Sequence, residues 1–253
     1  MISVIIPTLN ERDNLAALLS DLRQTEVEHE IIIVDGGSHD GTQAIATSRM
    51  LTLIETEASR GHQLAAGVGV ANADVILFLH ADCRFPLFGL AEIKRRLDED
   101  PELIGGNFRL SFSNASGVQD AFSEWLTGFY SFIRHFGLYY GDSGIFIRKS
   151  VLENIGGIKP LAIMEDFDLI RRMGKTKGHT CNIDNLLLRT SSRRFQGRSF
   201  VRIFSGWLTM HLMYALGASG NRLAKFYDSE RKVETSVRKN TIEYVSTTTP
   251  PHK

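Results

Sequence analysis

The sequence predicts an α/β protein built on an open, mostly parallel sheet with helices covering it. Short apolar runs alternate with longer, partly polar stretches along the amino-terminal part of the chain. The apolar runs are continuous in Ile, Val and Leu rather than alternating, which suits strands buried on both faces. Several of them end in polar residues, and in open α/β sheets ligands bind outside the carboxyl ends of the strands.

The elements follow in order. SVIIP, from Ser3, is the first strand, and a helix pattern runs from Glu11 to Gln24. EIIIVD, Glu30 to Asp35, is a second β-branched run, and SHDGTQAIATSRM, from Ser38, reads as a helix. LTLIE gives a third strand, SRGHQLAAGVGVA a helix and DVILFL a further strand. Pro86 to Asp100 predicts a helix with a basic face, stopped before Pro101. LIGGNFRLSF is another strand; FSEWLTGFYSFIRHFGLYY is helical, with Trp125, Phe129, Phe132 and Phe136 on one face. GDSGIFIRKSVLENIGG passes from strand to helix, IMEDFDLIRRM from loop to helix, and CNID and LLLRTSS close the sheet region.

FVRIFSGWLTMHLMYALGAS, Phe200 to Ser219, has the length of a membrane span. Arg202, His211 and the interrupting glycines oppose that reading. Phe200, Ile203, Phe204, Trp207, Leu208 and Tyr214 approximate helical spacing, so an amphipathic helix is expected, packing on the domain, on a second subunit or on a bilayer surface. Three segments follow: a sheet domain over residues 1–197, an amphipathic helical extension over 198–232, and a disordered tail over 233–253, where core-forming residues run out.

Composition narrows the classes of function. The chain has 253 residues with 29 basic and 29 acidic side chains, so no global field recruits nucleic acid, and anion binding must be local. Cys83 and Cys181 form no disulfide framework and fit a reducing, cytoplasmic compartment, with peripheral attachment at the inner face of the membrane the alternative. MISVIIPTLN reads as a first strand rather than a leader, because no basic region precedes its apolar run.

The candidate site residues gather at strand ends: Pro7, Thr8, Asn10 and Glu11; Asp35 with its glycines; and His80, Ala81 and Asp82. VDGGSHDGT lacks the G-x-G-x-x-G spacing, and its acid precedes its glycines. Asp35 there either accepts hydrogen bonds from a base or ribose or belongs to a βα turn, with Asp40 as a helix cap. Arg60 at a helix start is either an anion ligand or a solvated side chain. Asp82 could hold a divalent cation beside phosphates that complete its ligands, whereas zinc lacks a second His or Cys cluster. Glu165, Asp166 and Asp168 crowd one helical turn, where one carboxylate could act as general base or all three could complement the helix dipole. Arg189, Arg193, Arg194 and Arg198 could grip a pyrophosphate or form a solvated basic loop.

Taken in order, SVIIPTLNE, IIIVDGGSHDGT, FLHADCR, GDSGIFIRKSVLENIGG, MEDFDLIRRM and TSSRRF resemble glycosyltransferase family 2, enzymes of the GT-A fold that use nucleotide sugars. The resemblance runs from about Ser3 to Phe195 and is greatest to a small soluble bacterial subgroup. It implies a nucleotide pocket on Pro7, Thr8, Asn10, Glu11, Asp35, Arg60, Ala81 and Asp82, with Asp35 reading a uracil-type base. It implies Asp82 as ligand to Mg²⁺ or Mn²⁺, Glu165 and Asp166 as the catalytic pair with Asp166 the base, and Arg193 and Arg194 at the diphosphate. Asp142 and Gly144 would line the sugar or acceptor side. Two positions depart from the family's pattern: His80 stands at the first place of its Asp-x-Asp motif, and Phe195 where the family has tryptophan. The implied activity is inverting transfer of a sugar from a UDP-linked donor to an acceptor hydroxyl. A non-catalytic nucleotide-sugar binder is one alternative. A nucleotidyltransferase is the other, although that class wants a glycine-rich loop where PTLNERDN has no glycine.

Overall fold

β-branched runs and polar-to-apolar periodicity set the elements of the computed structural model, which describes residues 1–113, 120–134, 136–137, 139–192, 200–220 and 222–227. Four parallel strands come first: β1 (Ile2–Thr8), β2 (His29–Asp35), β3 (Thr52–Glu55) and β4 (Val75–Phe78). Helices α1 (Arg12–Leu22), α2 (Thr42–Ser48) and α3 (Arg60–Val70) connect them. The chain then adds β5 (Cys83–Arg84), α4 (Gly89–Glu99), β6 (Leu103–Ser113), α5 (Ala121–Arg134), β7 (Ile145–Arg148) and α6 (Lys149–Asn154). It continues with α7 (Glu165–Met173), β8 (His179–Ser191) and α8 (Phe200–Ala215).

The sheet has eight strands in the order β3-β2-β1-β4-β7-β6-β8-β5. β1 pairs in parallel with β2 on one side and β4 on the other, with Thr8 opposite Asp35 and Ile5 opposite Phe78. The carboxyl ends of β1, β2 and β4 therefore share one edge, as their polar tips predict. β7 runs antiparallel to both β4 and β6, and β5 runs antiparallel to β8.

CNID and LLLRTSS, expected as separate runs, are one strand. β8 pairs Ile183 with Phe108 and Leu187 with Arg109, so the residues between them bulge out of register. β5 was not expected, because two residues carry no periodicity.

Ile5, Ile32, Val34, Ile76, Phe78, Ile145, Ile147 and Leu169 form one buried cluster across the sheet and its helices. Each such side chain contributes about 1.5–3 kcal/mol when fully buried. The two remaining aromatic and basic expectations change on folding. The α5 aromatics do share a face, but Phe132, along with Phe136 beyond the helix, is exposed, while Ser123, Leu126, Tyr130 and Arg134 turn inward. The basic face of α4 is neutralised within the helix: Arg95 and Arg96 bind Glu92 at 2.8 Å, and Lys94 pairs with Asp98.

The chain divides into two compact units, Met1–Gln196 and Gly197–Lys253, with the sheet in the first. In the second, α8 carries Phe204, Leu208 and Leu212 exposed at four-residue spacing. Among the described residues no helix is long and apolar enough to cross a membrane. The expected disordered tail lies outside the described residues.

Candidate active site

Asp35 anchors one side of the sheet edge. Its Oδ1 accepts from the backbone N–H groups of Gly37 (3.0 Å) and Ser38 (2.7 Å) and from Gln43 Nε2 (2.8 Å). Its Oδ2 accepts from Thr8 Oγ1 (2.9 Å) and Ser38 Oγ (2.6 Å). Burial pushes this carboxyl up, but the bonds from Ser38, Gln43 and Thr8 outweigh it and hold it below the ordinary carboxylate range. A carboxylate offers about four lone-pair sites. Asp35 is fully buried, and five donors of its own chain engage its two oxygens in the manner of the turn reading.

The same network ties the first two loops together. Asn10, at a left-handed φ of 55°, donates its N–H to Ser38 Oγ and accepts from the His39 N–H. Glu11 N–H donates to Thr42 Oγ1, and Asp40 accepts from the N–H groups of both Arg12 and Thr42. Asp40 thus takes the first N–H of both α1 and α2 from just outside them, while the N-cap positions it was expected to fill belong to Glu11 and Gly41. Asn10 and Glu11 remain at the surface of this rim, Asn10 exposed and Glu11 half-buried. Pro7 is half-buried in β1 opposite Val34.

α3 joins this rim to the opposite side. Gln63, 5% exposed, donates its Nε2 protons to the carbonyls of Thr8 and Val34, both at 2.8 Å. Gly61 lets the backbone of Leu161 approach so closely that a Cβ there would lie 2.3 Å from the Leu161 carbonyl oxygen. Arg60 Nε stands 3.5 Å from Glu165 Oε1, the first residue of α7. The arginine is therefore ion-paired rather than simply solvated, and Glu165 is buried behind it.

The three carboxylates of MEDFD have three separate surroundings. Asp168 is buried and binds Lys159 Nζ (3.0 Å) and Arg172 Nε (2.6 Å), while Arg172 also donates to the Ile155 and Gly157 carbonyls. That makes Asp168 the clasp of the loop before α7. Asp166 instead accepts from the backbone N–H groups of Gly141 and Phe167, both at 2.7 Å. It lines a pocket with Arg60, His80, Gly141 and Glu165. A Cβ on Gly141 would lie 3.1 Å from His80 Nε2 and 3.2 Å from Asp166 Oδ2, so the end of β4 and the start of α7 meet at this glycine.

Tyr140 belongs to the same group. Burial pushes its phenol above the ordinary range, and the nearby Asp166 and Asp142 carboxylates push it further. Its ring meets Tyr130 edge-on at 5.9 Å. Asp142 is half-buried in the single turn Gly141–Ser143. Gly144 follows this turn. At φ 65° it turns the chain, and its Cβ position faces Leu188, Phe108 and Leu79 rather than open space.

Asp82 is half-buried and Ala81 buried just beyond β4. Among the described residues no three His, Cys, Asp or Glu side chains cluster to hold a metal. A cation there would rest on the Asp82 carboxylate and on phosphate oxygens of a ligand, the arrangement suited to Mg²⁺. Arg193, Arg194, Phe195 and Arg198 lie outside the described residues. Gln63 and Tyr140 escaped the sequence reading. A lone glutamine in the apolar helix SRGHQLAAG was the available signal for the first, and adjacency to GDSG for the second.

Known proteins match this architecture. A Haloferax volcanii protein named Glycosyltransferase AglE is 26% identical over 170 residues, 61% of this chain and 55% of its own length. The chain thus spans about half the length of this curated relative. A mannosyltransferase from Pyrobaculum calidifontis, solved with GDP-Man and Mn²⁺, aligns over 93% of this chain and 75% of its own at a TM-score of 0.62 and 16% identity. The Staphylococcus aureus TarS fragment 1–349, solved with UDP-GlcNAc, aligns over 89% of this chain and 71% of its own at 0.61 and 14% identity. At such identities these structures establish the GT-A fold alone. The model of glycosyl transferase family 2 matches residues 3–155, more than half of the chain, and the chain belongs to that family.

Proposed function

We propose that the protein is an inverting glycosyltransferase that moves a sugar from a nucleoside-diphosphate donor, UDP-linked in the first instance, to an acceptor hydroxyl. The observation that carries this reading is the Asp166 carboxylate, fixed by the Gly141 and Phe167 N–H groups beside His80, in a pocket at the carboxyl edge of a parallel sheet. A fixed base at a single face fits one direct displacement. Asp166 takes the proton from the acceptor hydroxyl, the acceptor oxygen bonds to the anomeric carbon, and the bond from that carbon to the diphosphate oxygen breaks. The configuration inverts, the nucleoside diphosphate leaves with the bonding electrons, and the proton stays on Asp166.

Negative charge grows on the leaving diphosphate, and placing fixed positive charge there is the main catalytic task. Arg60 suits it, because it lines the pocket beside Glu165, its ion-pair partner, and a guanidinium has five N–H donors to share with phosphate oxygens. Glu165 on this reading positions Arg60 and does not itself move protons. Arg193 and Arg194 add charge from the segment after β8. A divalent cation, Mg²⁺ or Mn²⁺, held by Asp82 and the donor's phosphates would neutralise the departing charge. Thr8, Pro7, Asn10, Glu11 and Ala81 form the walls of the nucleoside site, which Asp35 keeps in shape from beneath. Asp142 and Tyr140 stand on the acceptor side of Asp166.

The relatives solved with UDP-GlcNAc and GDP-Man support a nucleoside-diphosphate donor. The test is a panel of UDP and GDP sugars with each divalent cation, read first as a rise in melting temperature on binding and then as release of nucleoside diphosphate. Binding of none of them removes the reading.

A further inference from the structure

Gln63 is a buried amide whose orientation is dictated from outside. Both carbonyls that it touches, those of Thr8 and Val34, are acceptors only, so the NH₂ group must face them. Flipping the amide would set Oε1 against two carbonyl oxygens. The orientation is therefore fixed by chemistry, and Oε1 is the remaining polar atom, with no hydrogen bond from the described residues. The two carbonyls belong to the last residue of β1 and the last but one of β2, the strand ends that frame the proposed nucleoside site. Gly36 makes room for this arrangement: a Cβ at that position would lie 3.3 Å from Gln63 Nε2 and 3.0 Å from the Ala58 Cα.

Asp35, the other acceptor at these strand ends, is consumed by five donors of its own chain. That leaves a fixed, neutral acceptor where a base reader is needed. We propose that Gln63 Oε1 accepts a hydrogen bond from the ring N–H of the donor's base, the N3–H of uracil or the N1–H of guanine. Adenine and cytosine carry no such ring N–H and are selected against. The proposal rests on the donor reading above and deepens it by naming the residue that chooses the base class.

The experiment is a binding cycle on the full chain with UDP and N3-methyl-UDP, and with GDP and N1-methyl-GDP, measured by calorimetry. Gln63→Met removes the acceptor and the strand clamp together. Gln63→Lys keeps a donor for the Thr8 and Val34 carbonyls and removes the acceptor; the positive charge that it adds acts alike on methylated and unmethylated nucleotide and cancels in their ratio. One hydrogen bond is worth about tenfold in affinity. The wild type is expected to prefer the unmethylated nucleotide by about tenfold, and both variants to show a preference of less than about twofold. A preference that persists in the variants overturns the assignment and leaves Gln63 a strand clamp with a water on Oε1. Equal wild-type affinity for methylated and unmethylated forms overturns it as well. A wild type that binds no nucleoside diphosphate removes the donor reading itself and the assignment with it.

Discussion

His80 and Asp166 converge on Gly141: a Cβ there would lie 3.1 Å from His80 Nε2 and 3.2 Å from Asp166 Oδ2, and the same residue donates its N–H to that carboxylate at 2.7 Å. One residue without a side chain thus sets the spacing between the end of β4 and the start of α7. Gly141→Ala should push the two side chains apart by a few tenths of an ångström. The expected outcome is a loss of about tenfold or more in kcat from a misplaced base, with a melting temperature close to wild type. Steady-state kinetics beside a thermal melt would check it, and unchanged kcat would remove the geometric role.

Asp166→Asn keeps the shape and loses the base. Transfer is expected to fall about 10²–10⁴-fold, the usual worth of general-base assistance. Nucleotide affinity should stay within about twofold of wild type, because the base does not hold the donor. Residual transfer at the wild-type rate would assign the proton to another group.

Asp168 offers the contrast two residues away. It holds Lys159 and Arg172 from a buried position, so Asp168→Ala leaves a half-buried guanidinium without its carboxylate. Stability should drop by about 3 kcal/mol, seen as a lower urea midpoint. Asp166→Asn should leave that midpoint nearly unchanged. Equal effects on stability would mean that the two acids are not divided into clasp and base.

Acid stability has a predictable sign. Hydrogen bonds from Arg95, reinforced by Arg96 and opposed by burial, hold the Glu92 carboxyl at about 2 against an ordinary 4.5. A depressed native value favours the folded state above the unfolded value, and the benefit disappears as pH falls through the native one. Stability should therefore decline between pH 4.5 and about 2, and the Asp35 network acts in the same direction. In Glu92→Gln this part of the decline should be absent from urea curves taken across the interval.

Cation dependence separates Asp82 from the rest of the edge. Chelation should abolish transfer, and Mn²⁺ or Mg²⁺ should restore it in the wild type. In Asp82→Asn the restoration should fail or need about tenfold more metal, by the loss of a direct ligand. UDP binding that ignores metal in both proteins would discard the Asp82 role.

The sheet was legible because strand burial is written locally: IIIV and VILF can be covered only on both faces, and their polar ends had to share an edge once the strands ran parallel. Family membership was legible for a related reason, since the ordered motifs from SVIIP to MEDFD each sit at an edge or a turn. The duties of the acids were not. Glu165, Asp166 and Asp168 look equivalent within one turn, and their partners divide them: Arg60 and Gly141 arrive from distant segments, while Lys159 and Arg172, from the preceding loop and the same helix, take Asp168. Asp35 was open to a ligand or a turn role and is held by its own turn, while Gln63, a lone glutamine in an apolar helix, drew no reading at all. Local sequence decides which groups reach the edge of the sheet. Which partner each of them meets there depends also on contacts far apart in the chain, such as Thr8 with Asp35, Arg60 with Glu165 and Gly141 with Asp166, and those exist only once the chain has folded.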